Sequence, residues 1–205
     1  MDESVRLLVL ERDRQQKRLE TLLEGLRKDA GELPLSSEDI VRLIEQHLQC
    51  KHASRLPVLI VAAAYKAAAE KLGERVLRLN PHTAADRQTG ALGDVEITLL
   101  GDDRVVTTYE MKDKVVTKAD IDIAIQKIAA ARGVQNYTLI TTKPIDPEVR
   151  AYARSQYAQL GGVEIAILDC VGFLRHFLHI FHRIRMEFLN QYQTLLLSET
   201  ESGVN

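Results

Sequence analysis

The stretch that most restricts what this chain can become runs over residues 89–117, TGALGDVEITLLGDDRVVTTYEMKDKVVT. It reads as two strands, 94–100 and 105–111, joined by a polar turn at Gly101, Asp102 and Asp103. Side chains alternate along a strand, so Glu110 and Lys112 share a side and Met111 takes the other. A three-residue loop with a glycine-assisted bulge sets Asp94 directly opposite Glu110, whereas a two-residue loop puts the two carboxylates on opposite faces. Two carboxylates beside an ammonium suit one hard cation and a water aimed at phosphate. Glu110 is the only acid in the chain followed by lysine two positions later. The plainer alternative is a solvated hairpin face on which Glu and Lys are cross-strand partners.

The flanking sequence supplies an α/β frame. Residues 3–28 carry Val5, Leu8, Leu19, Leu22 and Leu26 at heptad-like spacing, which predicts an amphipathic helix, and a second helix follows over about 38–49. The run VLIVAAAYKAAAEKL predicts a helix capped by Ser54, with Pro57 in its first turn and Gly73 as its stop. Apolar on nearly every side, it is a buried helix laid on a sheet. A strand at 76–79 follows. Thr117 and Asp120 form a capping box for a helix to about residue 132, with Ile121, Ala124, Ile125 and Ile128 facing the sheet. A strand at 137–141, a helix begun by Asp146 and Pro147, and a strand from Val163 complete the order. A single long helix is expected over 171–197, its apolar stripe set by Leu174, Phe181, Phe188 and Leu195 and covered by the N-terminal helix or by a second subunit. The expected organisation is an N-terminal helical section (1–53), a core (54–170), and a C-terminal long helix with its tail (171–205).

The D…ExK spacing of Asp94, Glu110 and Lys112 resembles the PD-(D/E)XK nuclease superfamily, with Gly93 where the eponymous proline often stands. More narrowly, LPVLIVAAAYKAAAEKLGERV, HTAADRQTGALGDVEI, YEMK and DCVGFLRHFLHIFHRIR look similar to the family of the type II restriction enzyme SacI, a likeness that covers roughly residues 54–190. The resemblance implies a restriction-endonuclease-like αβββαβ core with a mixed central sheet. It also implies a Mg2+-dependent endodeoxyribonuclease that hydrolyses phosphodiester bonds in double-stranded DNA and leaves a 5′-phosphate. On that reading Asp94, Glu110 and the carbonyl of Met111 hold the metal, and Lys112 positions the attacking water. His82, Arg87 and Gln88, in the loop before the hairpin, are candidate contacts to bases or phosphates, and Lys114 and Lys118 to the backbone. A homodimer through the terminal helices suits a palindromic target.

Glu70 is either an extra metal-facing acid or a surface partner of Lys66. His176, His179 and His182 step about 300° at a time around a helix, which spreads them instead of gathering them on a metal. Gln126 stands near the glutamine of some exonuclease-like relatives, but Ala130 replaces their tyrosine. The net charge of −2 counts mildly against a nucleic-acid partner, although a neutral total can hide a basic groove. Cys50 and Cys170 lie beside apolar patterns and are expected as buried free thiols in a reducing cytoplasm. No apolar run approaches membrane-spanning length. Two rival functions share this pattern: a structure-directed or repair nuclease on the same core, and a non-catalytic interaction module.

Overall fold

The computed structural model describes residues 34–50, 53–77, 79, 91–131 and 133–202. The helix expected over 3–28 and the loop bearing His82, Arg87 and Gln88 lie outside the described residues. The described residues from Ser37 onward group into one compact unit.

Five strands form one sheet in the order β1-β2-β3-β4-β5, where β1 is Glu74–Val76, β2 Val95–Leu99, β3 Val105–Lys112, β4 Asn136–Thr141 and β5 Glu164–Asp169. β1 pairs with β2 and β2 with β3 antiparallel, while β3, β4 and β5 run parallel. The sheet is therefore mixed. The connections follow from this: a tight turn joins β2 to β3, but each parallel pair requires a helical crossover. Those crossovers are α3 (Lys118–Ala130) and α4 (Pro147–Ser155). Thr117 and Asp120 make the expected capping box at the start of α3.

One face of the sheet presents Tyr137, Leu139, Ile165 and Ile167 to Ile121, Ala124 and Ile128 of α3 and to Val149 and Ala153 of α4. The other face is covered by α2 (Leu56–Leu72), which is buried at every position from Leu56 to Ala64. Proline in its first turn and left-handed Gly73 (φ 69°) at its end bound the helix as expected, although Arg55 stands at the cap position in place of Ser54. The mixed α/β architecture, with helix, three strands, helix and strand in that order, is the restriction-endonuclease-like core the sequence led us to expect.

The expected long C-terminal helix is two helices. Helix α5 (Cys170–Ile180) ends at Phe181, a 3-10 turn spans His182–Ile184, and α6 (Arg185–Ser202) continues. The break lets one apolar stripe fold back on itself: the Phe177 ring meets both Phe181 and Phe188, and Phe188 stacks on Tyr192. The stripe is covered from within the chain. Helix α1 (Ser37–Leu48), which buries Ile40, Val41, Leu43 and Ile44, packs on α5, and α2 packs on α6. Cys170 is buried as expected, but Cys50, two residues past the end of α1, is exposed.

Candidate active site

The ladder between β2 and β3 decides where the acids fall. Val95 pairs with Tyr109, Glu96 with Thr108 and Ile97 with Thr107, after which Thr98 pairs with Val105. One residue of β3 is therefore extra, a bulge of the kind that corrects register in a hairpin. Continued one step, the ladder brings Asp94 beside Glu110. The backbone N–H of Asp94 donates to the carbonyl of Tyr109 (2.8 Å), and its Oδ2 accepts from the N–H of Met111 (2.7 Å). Asp94 thus grips the residues on both sides of Glu110.

Gly93 explains why no proline stands before this aspartate. A Cβ at that position would lie 2.5 Å from the Thr108 hydroxyl and 2.7 Å from the carbonyl oxygen of Tyr109. Only glycine lets the backbone come close enough to deliver Asp94 to its partners.

Glu110 is a buried acid on the α3 side of the sheet, its side chain only 11% exposed. Lys112 Nζ lies 2.5 Å from Oε1 and Lys127 Nζ 2.9 Å from Oε2, which also accepts a hydrogen bond from the Tyr137 hydroxyl. Burial by itself pushes the Glu110 carboxyl upward, but the donors Lys112, Tyr137 and Lys127 outweigh it and hold the group below the usual carboxylate range. The Tyr137 hydroxyl also lies 3.1 Å from the carbonyl of Leu92. A second acid completes the surroundings. Asp120, at the start of α3, is 3.0 Å from Lys114 Nζ and 3.8 Å from Lys112 Nζ.

The sequence-predicted residues are therefore divided. Glu110 and Lys112 touch, and Asp94 adjoins them through the backbone. The carboxylate of Asp94 has its own neighbours, the amide of Met111 and, 4.0 Å away, Arg55 at the head of α2. Met111 meets Asp94 through its N–H. Among the described residues no three of His, Cys, Asp and Glu are gathered into a metal-binding group. The donor chemistry nevertheless fits magnesium, which keeps several of its waters and needs only one or two carboxylates.

Lys114 pairs with Asp120, and Lys118 lies 3.9 Å from Glu148 and over the ring of Tyr152. Glu70 is exposed, and fifteen residues of helical rise place it about 22 Å along α2 from Arg55, so it is remote from Asp94. His176, His179 and His182 are exposed, and His179 is occupied by Glu38 at 2.9 Å. Gln126 is exposed.

Sequence reading missed Lys127 and Tyr137. The signal was present for the first: Asp120 and Lys127 are seven residues apart on the apolar face of α3, where an unpaired lysine is out of place.

Residues 33–142, more than half of the chain, match the family model described as the SacI restriction endonuclease C-terminal domain. The chain belongs to that family. The matched segment contains Asp94, Glu110, Lys112, Lys127 and Tyr137, and it begins just ahead of α1. A search of curated proteins finds none that matches. No helix among the described residues is long and apolar enough to cross a membrane.

Proposed function

We propose that this member of the SacI domain family is a magnesium-dependent endodeoxyribonuclease of the PD-(D/E)XK type that cuts double-stranded DNA at a defined sequence. The observation that carries the reading is the bracket around Glu110: Asp94 on the residues either side of it, and Lys112 on its own carboxylate. Asp94 and Glu110 would hold the cation. When bound, magnesium supplies positive charge to the scissile phosphate and acidity to a water. Lys112 is fixed by Glu110 and lies near Asp120, so its ammonium is aimed without a large reorganisation and stabilises charge developing on the phosphate oxygens. Lys127 and Tyr137 hold Oε2 of Glu110 and thereby set which way the carboxylate turns. Buried between the sheet and α3, this carboxylate is held below the usual carboxylate range by the three donors around it.

Two copies, one for each strand, suit a palindromic duplex. The deciding experiment is incubation of the purified chain with phage DNA and Mg2+. Discrete fragments with 5′-phosphate ends are expected, and they should disappear in Glu110→Gln. A ladder of random products, or preference for branched over linear duplex, would point to a structure-directed nuclease instead. Full activity of Glu110→Gln would overturn the assignment.

A further inference from the structure

A cleft of about 790 Å3 opens beyond the carboxyl ends of β3 and β4. Open α/β sheets receive ligands at that end of their strands. Met111, whose N–H holds Asp94, lines the cleft, as does Asp113; these are the neighbours of Glu110 and Lys112 along the chain. The last turns of α1 form one wall, with Gln46 and Gln49, and Lys143 in the loop after β4 lines it as well.

The charges along this wall are largely spoken for. Arg42 is 2.6 Å from Asp39, Glu45 is 3.6 Å from Arg175, and Lys143 is 3.6 Å from Asp113. The amides differ: Gln46 and Gln49 are exposed, and neither side chain has a hydrogen-bond partner among the described residues. They sit where α1 ends, so the negative pole of the helix and Glu45 disfavour a phosphate there. A base edge, which offers donors and acceptors without net charge, meets no such penalty. Glutamine presents one donor and one acceptor in a plane, the complement of the N6 and N7 edge of adenine. The wall is also held firmly. Glu38 ties the start of α1 to Arg175 and His179 of α5, and His47 near its end bonds the Tyr192 hydroxyl of α6 at 2.9 Å.

We propose that Gln46 and Gln49, on the cleft beside Met111, read base edges of a DNA duplex whose backbone lies on the Asp94, Glu110 and Lys112 site. The assignment rests on the nuclease reading and adds the place where sequence is recognised. Lys143, on the same cleft, contacts the backbone: its pair with Asp113 is solvent-exposed on both sides and exchanges readily for a phosphate.

The test is cleavage of a randomised duplex library in Mg2+ by the full chain and by Gln46→Ala, Gln49→Ala and Lys143→Ala, with duplex affinity measured across a salt series. Each glutamine variant is expected to lose about ten- to a hundredfold of discrimination at one base position while its salt dependence stays unchanged. Lys143→Ala is expected to weaken binding evenly across sequences and to lower the salt slope. Gln46→Glu and Gln49→Glu should move the preference toward cytosine, whose N4 donates. If the parent chain cuts at a defined sequence and the glutamine variants keep its profile and rate, the inference fails while the nuclease reading stands. Sequence-independent cutting by the parent ends this inference and the defined-sequence part of the nuclease reading, and leaves the catalytic role of Asp94, Glu110 and Lys112 standing. If the parent neither binds nor cuts any duplex, both fall.

Discussion

Two buried carboxylates stand within one lysine's reach of each other, and they are satisfied in opposite ways. Asp120 is tied to the backbone: its Oδ2 accepts from the N–H and the hydroxyl of Thr117, and lysines add to that from outside. Glu110 is tied by side chains, to two ammonium groups and a phenol. A carboxylate locked to a helix cap cannot turn without unravelling the helix end. One held by lysines can trade an ammonium for another cation with the fold intact, because each flexible side chain can withdraw separately. The same pairing of acid with lysine is thus architecture at the start of α3 and candidate machinery at the end of β3.

The comparison can be broken most sharply at β3. Asp94→Asn, Glu110→Gln and Lys112→Met should each lower DNA cleavage by about a thousandfold or more, read as initial rates in Mg2+, while circular dichroism keeps its α/β signature. Next in size, Lys127→Met should lower the rate about ten- to a hundredfold and destabilise the fold by about 1–3 kcal/mol in urea titration, since it removes a charged donor from a buried acid. Lys127→Arg should recover much of the rate. Asp120→Ala tests the other half: loss of the capping box should cost about 1–2 kcal/mol, with cleavage changed only a few fold at a temperature where the variant is folded.

The smallest expected effect is on acid stability. The folded carboxyls of Glu110 and Asp120 lie below their ordinary values. For each, burial opposes ionisation, but Lys112, Tyr137 and Lys127 around Glu110, and Thr117, Lys114 and Lys112 around Asp120, outweigh it. The stability they contribute is fully present above the unfolded carboxylate pKa and is lost as pH falls through the lower folded value. Urea midpoints should therefore fall on acidification below about pH 4.5, and Glu110→Gln should show a shallower decline than the parent chain. An identical acid limb in both would mean that Glu110 is not held in its ionised form.

Much of the frame was legible along the chain because local rules and tertiary packing agreed. The capping box at Thr117 and Asp120, the glycine stop at Gly73 and the alternation through Tyr109, Glu110, Met111 and Lys112 are set by hydrogen bonds and steric preferences of near neighbours. The helix break at Phe181 was not legible. The seven-residue spacing of Leu174, Phe181, Phe188 and Leu195 is equally compatible with one straight helix, and what ends α5 is the gain from folding Phe188 and Tyr192 back against Phe177 and His47.

By itself the sequence determined the order of elements up to the C-terminal helices, the strand that carries Glu110 and Lys112, and the presence of a turn before it. All of these depend on contacts between residues close along the chain. The bulge at Val106 that sets Asp94 beside Glu110 was one of two registers the sequence left open. Only the tertiary structure decided that Lys127 and Tyr137 meet Glu110, that Arg55 stands beside Asp94, and that Gln46 and Gln49 border a cleft at Met111. Those groups are 17, 27, 39 and more than 60 residues from their partners, and nothing in local periodicity encodes which side chains a crossover helix will set over a strand.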